Sequence, residues 1–312
     1  MIDLHRNRIV ITGGDGFLGR HLQTVFDGLG VPEQNVIVPL RRDFDLTCET
    51  DVEHLYRETQ PDVVIHLAAI VGGIGANQNE PGLFFYANMA MGLHLIEHAR
   101  RNGIKKFVQV GTVCAYPKHT AVPFREEDLW AGYPEETNAP YGIAKKSLLV
   151  MLQAYRQQYG AHGIYLLPAN LYGPGDNFNP DSSHVIPALI RKFHEAKQQG
   201  KDHVTLWGTG QASREFLYVE DCARAIALAA MLYDKPEPIN VGMGYEITIC
   251  DMAEKIRRLV GFDGSIVWDA TKPDGQPRRS LDVGRATTEF GFCATTSLDD
   301  GLQRTVQWWK EQ

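Results

Sequence analysis

The sequence predicts an α/β fold built on a doubly wound parallel sheet. Short runs of apolar and β-branched residues alternate along the chain with helical segments, and short links join them. The runs stay apolar instead of alternating with polar residues, which is typical of parallel strands covered on both faces. The chain has 312 residues, of which 44% are hydrophobic, so it suits one large domain or two fused ones.

Five strands and four helices are predicted in the first half. The first strand, 8–12, runs into a glycine-rich turn and then into a helix whose apolar residues recur at helical spacing. Thr50 and Glu53 have the spacing of a capping box and predict a helix that extends to about residue 58. The remaining elements follow in order: strands at 36–38, 62–67, 106–110 and 163–167, and helices at 81–101 and 139–159.

The turn after the first strand predicts a dinucleotide site. Gly13, Gly16 and Gly19 are each three residues apart, between a strand and a helix. Glycines in this position let backbone N–H groups approach a pyrophosphate at the helix N-terminus, so the sheet is predicted to be Rossmann-like. Phe17 and Leu18 in the turn, with Ala68 and Ala69 after the third strand, are further candidates for contact with the cofactor.

The end of the second strand bears on the choice between NADP and NAD. Arg41 and Arg42 stand where NAD-binding proteins usually have an acidic residue, and an arginine there can hold a 2′-phosphate. This favours NADP, while the acidic residues Asp43 and Asp15 keep NAD possible. The alternative is that the two arginines are only a solvated loop edge.

The pattern changes after residue 175, where a polar loop, a helix and several short strands follow. We expect residues 1–175 to form the dinucleotide-binding domain and 176–312 to form mainly a smaller C-terminal α/β lobe for the substrate. The segment 216–240 is expected to return to the first domain. Ser297 has the spacing to Asp300 that opens a closing helix.

Tyr141 and Lys145 form a Tyr-x-x-x-Lys pair on a predicted helix. Residues four apart lie on one face of a helix. A nearby ammonium favours the phenolate, so the pair predicts a tyrosine whose pKa is lowered from about 10. Such a tyrosine exchanges a proton with a carbonyl or hydroxyl oxygen while hydride moves at the carbon.

Cys114 and His184 go beyond what hydride transfer needs. Moving a proton from one face of a sugar carbon to the other requires an acid and a base, which a thiol and an imidazole can supply. Together with Tyr141 and Lys145, they suggest reduction and epimerisation in one pocket. The alternatives are that Cys114 is a small buried hydrophobic residue and that His184 only caps its helix.

Composition excludes several classes of function. The formal net charge of −7 argues against a general affinity for nucleic acid or for an anionic membrane surface. The five cysteines are scattered and include no Cys-x-x-Cys pair, so we expect free thiols in a reducing cytosol and neither a disulfide framework nor a metal site. No signal-like segment and no apolar run of about 18 residues occurs, which favours a cytoplasmic protein.

The glycine spacing and the Tyr-x-x-x-Lys pair resemble those of the extended short-chain dehydrogenase/reductases. Longer segments are more specific and cover nearly the whole chain: 68–77, 111–118, 137–146, 170–178, 182–188, 207–216 and 272–279. Together they resemble the GDP-L-fucose synthases. Enzymes of that family act on GDP-4-keto-6-deoxymannose as combined 3,5-epimerases and 4-reductases.

The resemblance implies roles for individual residues. Thr112 would join Tyr141 and Lys145 in hydride transfer, and Cys114 and His184 would be the base and the acid of epimerisation. Asp45 and Leu46 would lie near adenine, and Asn170 and Leu171 near nicotinamide. The GDP-sugar would be bound by Arg191, Lys192, Trp207, Arg214 and Arg279. The chain departs from the family at Thr112, usually Ser, at Arg279, commonly Lys, and at Lys192, commonly Arg.

Other interpretations stay open. A 4-epimerase or 4,6-dehydratase with bound NAD, or a keto-sugar reductase acting on a deoxyheptose, belongs to the same superfamily. Val113 and Cys114 stand where a dehydratase would have an Asp-Glu pair, which argues against that activity. A non-enzymatic dinucleotide sensor is disfavoured because Tyr141 and Lys145 are both present. The family resemblance also implies a homodimer through the helices 81–101 and 139–159.

Overall fold

A computed structural model describes residues 1–180, 182–272 and 274–312 of the chain. Its strands are β1 (Ile9–Thr12), β2 (Val36–Ile37), β3 (Val63–His66), β4 (Lys106–Val110), β5 (Gly163–Pro168), β6 (Asn170–Tyr172), β7 (His203–Trp207), β8 (Ser213–Tyr218), β9 (Ile239–Val241), β10 (Glu246–Thr248) and β11 (Ser265–Asp269). Six of them form a parallel sheet in the order β2-β1-β3-β4-β5-β9. The predicted fold class is therefore confirmed.

The helices are α1 (Phe17–Gly28), α2 (Glu49–Thr59), α3 (Ile74–Asn79), α4 (Pro81–Arg101), α5 (Ala139–Tyr159), α6 (Val185–Gln198), α7 (Val219–Leu232), α8 (Ile249–Val260), α9 (Gly284–Phe290) and α10 (Leu298–Lys310). On the six-stranded sheet, α4 packs against α5 and α1 packs against α7. None of the helices within the described ranges is both long and apolar enough to cross a membrane.

The described residues form two separate hydrophobic cores. The first surrounds the six-stranded sheet, and the second lies among α6, α8, α10 and two small sheets, β10-β8-β6 and β11-β7. In the segment predicted to return to the first domain, α7 and β9 pack in the first core, whereas Phe216 and Tyr218 pack in the second. The two cores support a division into two domains, which stays a prediction.

One helix start differs from the sequence prediction. Helix α2 begins at Glu49 with Cys48 at its N-cap, so Thr50 lies inside the helix and does not cap it. The Thr50 hydroxyl contacts the Cys48 sulfur at 3.1 Å instead. At α10 the predicted start is confirmed, because the Ser297 hydroxyl accepts a hydrogen bond from the Asp300 N–H at 3.1 Å.

Candidate functional site

A cleft of about 1070 Å³ lies beyond the carboxyl ends of β1, β3, β4 and β5. This is the edge at which open parallel sheets bind ligands. Residues from both parts of the chain line it, including all of the predicted site residues except Gly19 and Arg42. The sequence-predicted residues are thus brought together in one continuous space.

The glycine turn leaves room for a ligand against the backbone. Gly13 has a φ of +71°, and a Cβ there would lie 2.8 Å from the Ala68 nitrogen, so only glycine suits both constraints. Gly16 is the N-cap of α1 and has no side chain in front of the helix. Gly19 does not reach the cleft: it is buried, and a Cβ would lie 2.4 Å from the Gly13 carbonyl oxygen. The turn fits a dinucleotide pyrophosphate, with Gly19 allowing its close packing.

The two arginines after β2 differ in position. Arg41 lines the cleft and makes no side-chain hydrogen bond or ion pair with the residues that the structure describes. Arg42 is exposed outside the cleft and lies 3.7 Å from the Asp43 carboxylate. The geometry therefore favours Arg41 over Arg42 as the residue that contacts the cofactor, and the role of each stays a prediction.

Asp45 and Leu46 close the cleft on the same side. The Asp45 carboxylate accepts hydrogen bonds from the Thr47 hydroxyl at 2.7 Å and the Thr47 N–H at 3.0 Å. These bonds lower the pKa of Asp45. Leu46 is buried and also lines the cleft. These hydrogen bonds thus hold the turn in place, and the Leu46 side chain beside it offers an apolar contact for a base.

Thr112, Tyr141 and Lys145 meet where β4 ends and α5 begins. Thr112 is the N-cap of a short 3₁₀ helix, and its hydroxyl accepts a hydrogen bond from the Cys114 N–H at 3.1 Å. The Lys145 ammonium is buried and donates to the Val110 carbonyl oxygen at 3.2 Å. Burial lowers the pKa of Lys145 to about 8.

The pKa of Tyr141 is raised, not lowered. Burial raises it most, Cys114 adds to the rise, and a hydrogen bond with the Thr112 side chain opposes it. The expected lowering by Lys145 is not found, because the loss of water around the phenolate is the largest cause and the Lys145 charge is not among the causes. Tyr141 is accordingly a neutral phenol, which is the form that donates a proton.

Cys114 faces a cation that sequence analysis had placed elsewhere. The buried Arg279 guanidinium donates from Nη1 to the Cys114 sulfur at 3.5 Å. Its Nε and Nη2 both donate to the Gln276 side-chain oxygen, at 3.2 and 3.0 Å. On the other side, the thiol points to the Asn138 amide oxygen at 3.9 Å. Cys114 is therefore half-buried in the cleft between a cation and an acceptor, and is not a core thiol.

His184 occupies the N-cap position of α6 but does not act as a cap, because its side chain makes no capping hydrogen bond. The ring lines the cleft and is open to it. The protein atoms around the cleft displace bulk water, and this desolvation lowers the pKa of His184 from its usual value. The alternative that His184 only caps the helix is excluded by this geometry.

Part of the cleft lining is cationic. The cationic residues that line the cleft include Arg191, Lys192, Arg214 and Arg279. Burial and then the nearby Arg279 charge lower the pKa of Arg214 to about 10. Two guanidinium groups this close in a protein interior favour an anion between them. Trp207 is 62% exposed at the rim, with the Lys272 ammonium 5.4 Å from its ring centroid, so it is not a core residue.

The structure adds residues that sequence analysis missed. Asn138 and Gln276 hold Cys114 and Arg279, and both line the cleft. Asp274 also lines it, and accepts from the Thr209 N–H at 2.7 Å. Asn138 stands beside Tyr141 in the sequence, and Gln276 and Asp274 lie in the 272–279 segment, so their segments were recognised although their contacts were not. In the described part of the chain, no three His, Cys, Asp or Glu side chains are placed to hold a metal ion.

The remaining predicted residues frame the middle of the cleft. Ala68 and Ala69 follow β3, and Asn170 and Leu171 lie on β6. The Asn170 amide donates to the Glu215 carbonyl oxygen at 2.9 Å, which ties β6 to β8. The cleft floor is thus built from both parts of the chain.

Comparisons with known proteins show the family to which this chain belongs. The model of the NAD dependent epimerase/dehydratase family matches residues 9–242. A GDP-L-fucose synthase of Sinorhizobium fredii is 43% identical, with 97% of this chain and 96% of that protein covered. Among solved structures, a GDP-6-OMe-4-keto-L-xylo-heptose reductase from C. jejuni superposes with a TM-score of 0.92 at 27% identity, covering 100% and 99% of the two chains.

A second solved structure, a GDP-L-fucose synthetase from Naegleria fowleri bound to NADP, gives a TM-score of 0.91 at 27% identity, with 100% of this chain and 96% of that chain covered. Sequence and structure therefore agree along the full length of the chain. The chain belongs to the NAD dependent epimerase/dehydratase family, in the group of the GDP-L-fucose synthases and their relatives.

Proposed function

We propose that the protein converts GDP-4-keto-6-deoxymannose to GDP-L-fucose by 3,5-epimerisation and NADPH-dependent 4-reduction. The observation that carries this proposal is the presence of Cys114 and His184 in the same cleft as Thr112, Tyr141 and Lys145. A plain reductase has no use for a thiol and an imidazole on the walls of its substrate site. The relative that is 43% identical and named GDP-L-fucose synthase supports the same activity.

Epimerisation uses the acidity that the C4 ketone gives to the hydrogens on C3 and C5. Cys114 removes a proton, and the resulting enolate carries its charge on O4. Hydroxyl donors such as Thr112 and Tyr141 stabilise an oxyanion by about 3–4 kcal/mol each when they are aimed at it. His184 returns a proton on the opposite face, and an anionic diphosphate nearby favours its imidazolium form.

Reduction follows at C4. The residues that would hold the dinucleotide are the glycine turn, Arg41, Asp45, Leu46, Ala68, Ala69, Asn170 and Leu171. When bound, NADPH supplies the hydride. Tyr141 is neutral at working pH, because its pKa is raised, and it donates its proton to O4. The Lys145 ammonium is held in the same cleft by its hydrogen bond to the Val110 carbonyl oxygen, and we assign it the role of the cation that assists Tyr141.

The cationic part of the cleft lining would bind the diphosphate of the GDP-sugar. Lys192 and Arg214 present positive charge there, and Arg191 also lines the cleft while its Nη1 donates to the Glu195 carboxylate at 3.1 Å. This local charge explains how an acidic protein can bind a multiply charged ligand. We assign the Arg279 guanidinium to Cys114 as well as to the substrate, since one of its N–H groups already contacts the sulfur.

NADP is favoured over NAD by the position of Arg41. We expect Arg41→Ser to raise the KM for NADPH about tenfold, the effect of losing about 1.4 kcal/mol, with little change for NADH. Arg42→Ser is the matched control, because Arg42 lies outside the cleft, and its KM should equal that of the wild type. Equal effects of both substitutions would assign the preference to net charge alone.

A keto-sugar reductase without epimerase activity is the second candidate, favoured by the structural similarity to the heptose reductase. Steady-state turnover of GDP-4-keto-6-deoxymannose with NADPH in deuterated water separates the two functions. The proposed function requires deuterium at both C3 and C5 of the product. Reduction without deuterium at either carbon would establish the second candidate instead.

We further propose a cytoplasmic homodimer formed through α4 and α5. These helices carry exposed apolar side chains, among them Leu83, Leu93 and Val150, with Tyr86 63% exposed. Light scattering after size exclusion tests this: Tyr86→Glu should shift the protein from dimer to monomer. Tyr245→Glu is the control, since Tyr245 is similarly exposed but lies away from both helices. A wild-type protein that elutes as a monomer would refute the dimer.

A further inference from the structure

A row of buried polar side chains crosses the parallel sheet next to the proposed catalytic pair. Thr12 on β1, His66 on β3, Gln109 on β4 and Tyr165 on β5 are neighbours in register. Side chains in register on adjacent parallel strands project from the same face of the sheet. All four residues are at most 1% exposed. Polar residues are unexpected there, because the strands of a covered parallel sheet are apolar.

Only part of this row is hydrogen-bonded by the protein. The Thr12 hydroxyl and His66 Nδ1 are 2.7 Å apart, and the Gln109 amide donates to the Val110 carbonyl oxygen at 2.9 Å. Within the described residues, His66 Nε2, Gln109 Oε1 and the Tyr165 hydroxyl have no partner. Buried polar atoms are nearly always hydrogen-bonded, and ordered water serves where the protein offers no partner.

The row adjoins the reductive groups. The Val110 oxygen that accepts from Gln109 also accepts from the Lys145 ammonium. The Tyr165 ring lies against Gly111, where a Cβ would be 2.4 Å from the hydroxyl oxygen, and Thr112 follows directly. Burial and then the Lys145 charge hold the pKa of His66 well below its usual value, so its imidazole is neutral.

We propose that His66, Gln109 and Tyr165 bind ordered water that hydrogen-bonds to the Lys145 ammonium. This proposal rests on the catalytic role proposed above for Lys145. An ammonium has three donors, and Val110 takes one of them. A buried cation is costly unless its remaining donors are also satisfied. Tyr165 and His66 are then positioning residues, which keep Lys145 charged and in place beside Tyr141.

The substitution Tyr165→Phe tests the proposal, because it removes one hydroxyl and keeps the ring. A buried hydroxyl without a hydrogen-bond partner destabilises the folded protein, so its loss would leave the melting temperature unchanged or raise it. A hydroxyl that binds water contributes to stability, so we expect its loss to lower the melting temperature by about 2–4 °C. A crystal structure should show water within about 3.2 Å of the Tyr165 hydroxyl and of His66 Nε2.

Tyr233→Phe is the matched control. Tyr233 is also a buried tyrosine, but its hydroxyl donates to the Glu237 carbonyl oxygen at 2.8 Å, outside the cleft. Its loss should lower the melting temperature and leave catalysis unchanged. In Tyr165→Phe we expect kcat for reduction to fall about tenfold, which corresponds to one hydrogen bond, with the KM for NADPH unchanged.

The pH profile supplies a readout that a merely structural role would not change. Two titratable groups face the row: Lys145 acts on His66, and Tyr141 acts on Tyr165, with Cys114 beyond Tyr141. Loss of a partner for the ammonium disfavours its charged form. The alkaline limb of kcat should therefore move to lower pH in Tyr165→Phe and in His66→Leu, but not in Tyr233→Phe.

The proposal is overturned if Tyr165→Phe keeps or raises the melting temperature, or if it lowers it like Tyr233→Phe without altering kcat or the pH profile. The stability measurement and the crystal structure need no substrate. If the wild type fails to reduce GDP-4-keto-6-deoxymannose, the proposed function fails, while these two measurements still decide whether the row binds water.

Discussion

The groups proposed for reduction and those proposed for epimerisation share one cleft but differ in their access to water. Thr112 and Lys145 are 8% and 1% exposed, whereas Tyr141 and Cys114 are half-buried and His184 is open to the cleft. Desolvation changes the pKa of His184 as well as those of Tyr141 and Lys145, so the groups differ in exposure and not in the cause of their pKa changes. Accessible groups can exchange protons with solvent. The cleft therefore extends from a buried part at Thr112 and Lys145 to a part at His184 that is open to solvent.

The largest expected effect separates the two steps by removing the phenol. In Tyr141→Phe the proton donor to O4 is lost, and general acids contribute about 10²–10⁴-fold. We expect NADPH oxidation to fall by about 10³-fold. Deuterium exchange into C3 and C5 should fall less, because the Thr112 hydroxyl still faces the oxyanion. Parallel measurement of the two rates checks this, and an equal loss in both would show that the steps are not separable.

The next substitution changes the proposed base of epimerisation. Cys114→Ser replaces the proposed base with a hydroxyl, which does not ionise near neutral pH. We expect solvent exchange to fall about 10²-fold, while NADPH binding, measured by fluorescence titration, stays at the wild-type value. Cys250→Ser is the control, since Cys250 is a half-buried free thiol at α8 and does not line the cleft. Unchanged exchange in Cys114→Ser would remove this residue from the role of base.

The same contrast explains what the sequence could predict. Tyr141 and Lys145 lie four residues apart on one helix, and the three glycines lie in one turn, so local geometry places them. Contacts across the chain are different: Arg279 meets Cys114 although 165 positions separate them. No local pattern distinguishes Arg41, which lines the cleft, from Arg42, which does not.

Burial was also beyond the reach of sequence patterns. The Tyr-x-x-x-Lys spacing predicted an attraction between ammonium and phenolate, but the sign of the pKa change at Tyr141 follows from how much water the fold removes. The row formed by His66, Gln109 and Tyr165 depends on strand register, which sequence patterns specify only weakly where strands are apolar on both faces. Thus the fold, and the meeting of most predicted site residues in one cleft, could be predicted from the sequence, whereas the pKa changes of these residues could not.

The smallest expected effect is on the free energy of unfolding and concerns the buried Lys145 ammonium. Lys145 has its pKa lowered to about 8 by burial, against about 10.4 in an unfolded chain. At pH 7 the folded state therefore holds a charge that it disfavours, by up to about 3 kcal/mol. Lys145→Met removes the buried charge, and the Val110 carbonyl oxygen keeps its hydrogen bond from the Gln109 amide. We expect the substrate-free variant to unfold at a higher temperature than the wild type, by roughly 1–2 kcal/mol of stability, although reduction is lost.

The pH dependence of that gain gives its test. Between pH 8 and about 10.4 the unfolded wild type binds the lysine proton more tightly than the folded state does, so wild-type stability gains from rising pH in this window. The variant lacks this group and gains nothing from it. Urea unfolding of both proteins should therefore show a stability difference that is constant below pH 7 and narrows toward pH 10. A stability difference that does not change between pH 7 and pH 10 would mean that burial does not lower the pKa of Lys145 in the folded state.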